Sequence, residues 1–307
     1  MNPLSNLLPN GFSPFPELGH HIQQSVMPLL VISGESLVAI GTGFVITSNG
    51  LMMTAAHVLE EAVKHGIPRK RQDGGLDYDL QVYAVYVTNR KSDDCDQYVG
   101  GPLPVVKFWH SPELDIAFCL LGSPYPESNW MPNLPVFRLS PSVPTIGERI
   151  CGCGYYQMKG NIGHPTENGK IEVHYSQDTA YTPGRVIEVY PVRRDSVMLR
   201  FPCFRTDARF DAGMSGGPVV NQEGNVCGVI CSSLPADQSN PAHLSYASLI
   251  WPAFGTPIEI ERAGQKSATT TLYDLAGEGR VEVDASFNSI QMTAHSNGSR
   301  TIGIRNR

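Results

Sequence analysis

The 307-residue sequence predicts an all-β protein built as two halves of similar size, followed by a β-rich tail. Three observations predict this. The 30 glycines and 24 prolines exceed the roughly 12% combined usage of an average protein, which supplies turns for many short strands rather than a helical bundle. The apolar runs are short and bounded by turn residues, with no regular long helices between them. A proline-rich stretch, 123–135, separates the two halves and reads as a linker.

Each element follows in order. Residues 1–22 are rich in Pro, Asn and Gly and are expected to form an irregular arm. The first half, 23–122, opens with VMPLLVI and SLVAIGTGFVIT. The turn Ser48–Asn49–Gly50 and the run LMMTAAH follow. Asn-Gly between apolar runs is a strong hairpin signal. HVLEEAVKHG (57–66) is a short helical stretch ended by Gly66, and 68–79 is a polar segment. The strand LQVYAVYV (80–87) precedes a loop holding Asp93, Asp94 and Asp96, then the strands PVVKFWH (104–110) and DIAFCLL (115–121). In the second half, 136–256, the expected strands are ERICGCGY, KIEVHYS, GRVIEVYPV, SVMLRFPC, PVVNQEGNVCGVICSS and HLSYASLIW. In the tail, 257–307, the runs LYDL, RVEVDA, SIQMTAH and RTIGI alternate apolar and polar residues and read as two short hairpins. Short hairpins are marginal alone, and sequential elements are usually neighbours, so the tail is expected to pack on the second half.

Composition excludes several function classes. The net charge is −6, with no basic cluster, which argues against nucleic-acid binding. No apolar run reaches the ~18 residues of a membrane helix, so no membrane partner is expected. The N-terminus lacks a basic start followed by an apolar stretch, so no secretory signal is expected. The 7 cysteines then read as buried, reduced thiols in a cytoplasmic protein. Cys151 and Cys153 share one strand face with no second pair to complete a zinc site, so neither a metal nor another cofactor is expected.

Three segments carry chemistry: LMMTAAHVLEE with His57, SPELDIAFCLL with Asp115, and FDAGMSGGPVV with Ser215. A serine is a poor nucleophile until a base takes its proton, and the base needs a carboxylate to hold its tautomer. Ser215 is flanked by Gly213, Gly216 and Gly217. Glycines permit the tight turn that exposes Oγ, and they leave backbone N–H groups of Gly213 and Ser215 free to face a developing oxyanion.

The blocks GTGFVIT…LMMTAAHV, DIAFCLL and TDARFDAGMSGGPVV resemble the signature segments of trypsin-like (chymotrypsin-fold) serine peptidases. The resemblance is closest to the bacterial HtrA-type branch, on Thr206–Asp207–Ala208 before the nucleophile and on Gly147…Gly154–Tyr155. It covers roughly 23–255 and implies a double β-barrel with the active site in the crevice between the barrels. By that resemblance His57 is the general base, Asp115 its orienter and Ser215 the nucleophile. Gly213 and Ser215 form the oxyanion hole of a serine endopeptidase acting on protein or peptide substrates.

The chain departs from the pattern in three places. Met214 stands where digestive enzymes carry an Asp before the nucleophile, so no activating cut is expected. Too few residues follow the second half for the PDZ domain usual in the HtrA-type branch, which leaves a regulatory protein partner as one means of restraint. The specificity pocket is expected to involve Arg209, Phe210, Ile230, Ser232 and Ser233. Arg209 occupies the position of trypsin's pocket carboxylate, which disfavours Lys/Arg substrates. Phe210 and Ile230 favour a small or medium apolar side chain, whereas an inward Arg209 would favour an acidic one. A catalytically silent member of the same fold, acting as a binding module, is the alternative; loss of a triad residue would be its signature. An α/β-hydrolase would fit Gly213–Met214–Ser215–Gly216–Gly217 literally. It needs a helix after the serine and the chain order Ser, Asp, His, and both fail here.

Overall fold

The computed structural model describes residues 24–33, 36–70, 76–79, 81–92, 95–125, 130–165, 171–234, 244–260, 268–295 and 300–305. The expected N-terminal arm lies outside them.

The first barrel contains β1 (Val26–Ser33), β2 (Ser36–Val45) and β3 (Leu51–Thr54). Helix α1 (Ala56–His65) and a small hairpin, β4 (Ile67–Lys70) with β5 (Leu76–Asp79), interrupt it. The strands β6 (Gln81–Ser92), β7 (Cys95–Ser111) and β8 (Ile116–Leu121) close it in the order β1-β2-β3-β8-β7-β6. Turn chemistry sets the β2–β3 hairpin: Gly50 sits at φ +86, a left-handed conformation that costs glycine little. Phe44, Met53 and Phe118 are cross-strand partners on one face of the sheet, Met52 lies on the other, and all four are fully buried. Each such side chain contributes roughly 1.5–3 kcal/mol on burial.

The second barrel contains β9 (Arg149–Pro165), β10 (Ile171–Tyr190), β11 (Cys203–Thr206), β12 (Pro218–Val220), β13 (Val226–Leu234) and β14 (Leu244–Leu249). Its order is β10-β11-β14-β13-β12-β9. Its core gathers Ile150, Val186, Phe204, Phe210, Met214 and Ile230.

Several elements differ from the sequence reading. IEVHYS of the first run and GRVIEVY of the second lie on one long strand, β10, with a register shift between Ser176 and Asp178. The polar segment after α1 contains the β4–β5 hairpin. Asp96 belongs to strand β7, while Asp93 and Asp94 lie outside the described residues. SVMLRFPC is not a strand before Cys203. The Asp195 carboxylate accepts N–H bonds from Val197, Met198 and Leu199 at 2.8, 2.6 and 3.2 Å, and that local turn outcompetes strand pairing.

The tail is only partly as read. SIQMTAH and RTIGI form the hairpin β17 (Ile290–Ala294) with β18 (Arg300–Ile304). The other hairpin is β15 (Pro257–Ile260) with β16 (Ala268–Thr271). LYDL lies in helix α2 (Leu272–Gly277), because Thr271 and Asp274 form a reciprocal capping box that starts a helix there. RVEVDA makes no hairpin; Val283 forms one parallel bridge to Leu139. The tail docks more widely than on the second barrel. Leu272, Leu275 and Val281 share a buried cluster with Leu134, Phe137 and Leu139 of the segment joining the barrels. Glu259 reaches Lys107 of the first barrel at 2.8 Å.

Cys119, Cys151, Cys153, Cys203, Cys227 and Cys231 are free and buried, and the side chain of Cys95 lies outside the described residues. Burial pushes the Cys119 thiol up to about 12.

Candidate active site

His57 lies in the first turn of α1, three residues after Thr54 at the end of β3. The helix N-terminus has no local side-chain cap and no acidic residue in its first turn. Its cap comes from elsewhere in the chain. Asp115 stands in the turn before β8, where Asp115 N–H donates to Pro112 O. It adopts φ +49, a left-handed conformation that Asp tolerates better than most residues. That conformation sends its carboxylate to α1. Asp115 Oδ1 accepts the His57 backbone N–H at 3.0 Å, and Oδ2 lies 2.9 Å from His57 Nδ1. One carboxylate therefore caps the helix and fixes the imidazole ring. The positive helix end adds to its stabilisation.

The Asp115 side chain is 11% exposed and that of His57 is 40% exposed. Burial by itself would pull the imidazole pKa down. The hydrogen bond and charge of Asp115, with the charges of Glu60 and Glu61, outweigh it, and the net shift is upward from the usual 6.5. Nδ1 faces the carboxylate, so a neutral ring carries its proton there and presents Nε2 as the free base.

Ser215 is half-buried in a turn between Gly213 at φ +98 and Gly216 at φ +85. The turn is held by Met214 N–H donating to Asp211 O at 3.1 Å, Gly217 N–H to Met214 O at 2.9 Å and Gly216 N–H to Ile230 O at 2.8 Å. Among the described residues, the N–H groups of Gly213 and Ser215 donate to no acceptor. They are the two donors expected of an oxyanion hole.

Glycine lets this turn reach the His57 segment. A Cβ on Gly216 would stand 2.1 Å from Thr54 Oγ1 and 2.2 Å from Thr42 O, and one on Gly41 would stand 2.9 Å from Ser215 O. The Ser215 turn is thus packed against β2 and the end of β3, the strand that leads into His57. Among the described residues no Ser215–His57 hydrogen bond is formed. Such bonds are often loose in ligand-free enzymes and tighten in the reactive complex.

The specificity residues separate into three groups. Phe210 and Ile230 are each 1% exposed and belong to the core of the second barrel, so neither lines an open pocket. Phe210 fills the space over Gly152, where a Cβ would lie 2.3 Å from its ring. Arg209 does face open space. Its side chain is 71% exposed, pairs with Asp211 at 2.8 Å, and borders a groove of about 830 Å³ that runs to Gly213. Tyr156, Gln157 and Met158 form another part of the wall. The side chains of Ser232 and Ser233 lie outside the described residues.

The sequence reading did not single out Thr42 or Thr54. Both are fully buried and both hydrogen-bond at the site. The available signal was their position within GTGF and MMTAAH, the segments that carry the resemblance.

Compared by sequence with curated proteins, the chain matches none. Among solved structures it is similar to the MamO protease domain from Magnetospirillum magneticum in its apo form. That match has 16% identity and a TM-score of 0.44 over 76% of this chain and 95% of that one. It is similar to the HtrA-type protease AlgW, solved with a tripeptide, at 17% identity and TM-score 0.42, over 74% of this chain and 56% of that one. It is also similar to Deg5, at 19% identity and TM-score 0.43, over 74% and 84% of the respective chains. A family model described as the trypsin-like peptidase domain matches residues 41–229, a span that runs from β2 through His57, Asp115 and Ser215 into β13. The chain belongs to the trypsin-like peptidase domain family.

Proposed function

We propose that this protein is a serine endopeptidase that cleaves peptide bonds through an acyl-enzyme, with His57, Asp115 and Ser215 as its catalytic residues. The observation that carries this reading is the Asp115 carboxylate at 2.9–3.0 Å from His57 Nδ1, together with a glycine-flanked Ser215 turn with two free N–H donors. Ser215 Oγ attacks the scissile carbonyl while His57 Nε2 accepts its proton. The oxyanion is met by the N–H groups of Gly213 and Ser215. The imidazolium, stabilised by Asp115, returns the proton to the leaving amine. Water then repeats the sequence on the ester and frees Ser215. A protein or peptide substrate is the partner this chemistry requires. A regulatory protein acting on the loops around Ser215 would provide restraint.

A casein digest with a fluorophosphonate label tests the reading. The parent is expected to cut casein and take the label on Ser215. Ser215→Ala should lose both while keeping the parent's circular dichroism and Tm. Parental turnover by Ser215→Ala, or a folded parent that neither cuts nor labels, would refute it and leave the binding-module alternative.

A further inference from the structure

Thr42 makes more connections at the site than its place in β2 requires. Its backbone N–H donates to Ser215 O at 2.8 Å. Its hydroxyl lies 2.8 Å from Gly213 O and 3.1 Å from Tyr155 N. Its carbonyl accepts the Thr54 hydroxyl at 2.7 Å. The residue is fully buried, so water cannot substitute for these partners.

The direction of each bond follows from the chemistry. The Tyr155 N–H can only donate, so it takes a lone pair of Thr42 Oγ1. Gly213 O can only accept, so the single hydroxyl proton of Thr42 points at it. Thr42 therefore anchors the carbonyls on both sides of Met214: Gly213 O through its side chain and Ser215 O through its backbone. Between those anchors lies the peptide whose N–H belongs to Ser215. Gly213, at φ +98, can rotate its own N–H readily unless its carbonyl is held. Thr54 locks Thr42 in turn, and Thr54 lies just before His57 on the same chain segment. The glycines at 41 and 216 permit the close approach that this arrangement needs.

We propose that Thr42 is a positioning residue: from the first barrel, its hydroxyl holds Gly213, and with it the two oxyanion donors of the second barrel, in the orientation that stabilises the transition state. This rests on the serine-peptidase reading above.

The experiment compares steady-state kinetics of full-length parent, Thr42→Val, Thr42→Ala and Thr42→Ser on one peptide substrate. Affinity for a matched peptide boronic acid, a tetrahedral analogue, is measured alongside. Thr42→Val, which keeps shape and loses the proton, should lower kcat roughly 10- to 100-fold, less than the 10²–10³ cost of deleting an oxyanion donor. KM should change by less than about threefold, and boronate affinity should fall with kcat. Thr42→Ser restores the hydroxyl and should recover most of kcat. Thr42→Ala repeats the test should the valine variant fail to fold. A parental kcat in the folded Val or Ala variant overturns the proposal. So does a loss carried by KM alone, or a Ser variant as slow as Val. A parent without Ser215-dependent turnover fails the serine-peptidase reading instead, an outcome separate from these.

Discussion

At the residue scale, Asp115 holds two jobs that differ in their response to substitution. Asp115→Asn keeps an oxygen for the His57 backbone N–H, so helix capping is largely retained. The amide nitrogen, however, turns toward Nδ1 and favours the wrong imidazole tautomer, for which kcat is expected to fall by roughly 10⁴ near neutral pH. Acidity should shift as well. In the parent the His57 pKa is raised, so the acid limb of kcat/KM lies above the usual 6.5, with activity gained as His57 loses its proton. In Asp115→Asn the raising hydrogen bond and charge are gone while burial remains, so the limb should move down. Stability runs in the opposite sense. A raised folded-state pKa stabilises the fold fully below pH 6.5, and that contribution is lost as pH rises through the raised value. A pH–rate profile of both proteins checks the shift; an unmoved or upward limb in the variant would refute the Asp115 role.

At the element scale, the tail is held by packing and by caps. Helix α2 is short, so its stability depends on the Thr271–Asp274 capping box and on Leu272 and Leu275 beneath it. Asp284 caps the following short 3₁₀ turn by accepting the Ser286 N–H at 2.9 Å. Its own N–H donates to Leu139 O at 3.0 Å, and Leu139 N–H donates to Glu282 O at 2.9 Å, which stitches the tail to the segment joining the barrels. Leu272→Ala empties a fully buried site and should cost about 2–5 kcal/mol by thermal or urea unfolding. An unchanged unfolding midpoint would mean that the tail adds nothing to the fold. The sequence pattern found the β17–β18 hairpin because alternation is a local signal. It misread LYDL because four residues fit either period, and the choice is made by a cap whose two halves are three residues apart.

At the scale of the whole molecule, the proposed active site draws its residues from both barrels, so the contacts between barrels would bear on its geometry. Tyr155 on β9 is one of them. It is 1% exposed, its hydroxyl donates to Val26 O on β1 at 2.8 Å, and its backbone N–H reaches Thr42. Burial pushes its phenol well above the ordinary value, which keeps the donor protonated at any working pH. Tyr155→Phe should destabilise the fold by roughly 1–3 kcal/mol, since it leaves a buried carbonyl unpaired. Denaturant unfolding measures this, and a neutral change would show that the Val26 carbonyl finds another donor.

The fold class and the two-barrel division are legible in the sequence alone, and so are the residues proposed for catalysis, His57, Asp115 and Ser215. These are written in short motifs whose residue types follow directly from the chemistry and from turn geometry. Packing alone assigns Asp115 to the cap of α1, Thr42 to the Ser215 turn, Phe210 and Ile230 to the core, and Arg209 to the groove. The difference is one of range. A strand's alternation shows that two faces exist, but which face meets the other barrel, and which distant carbonyl a buried hydroxyl finds, depends on packing between segments more than a hundred residues apart.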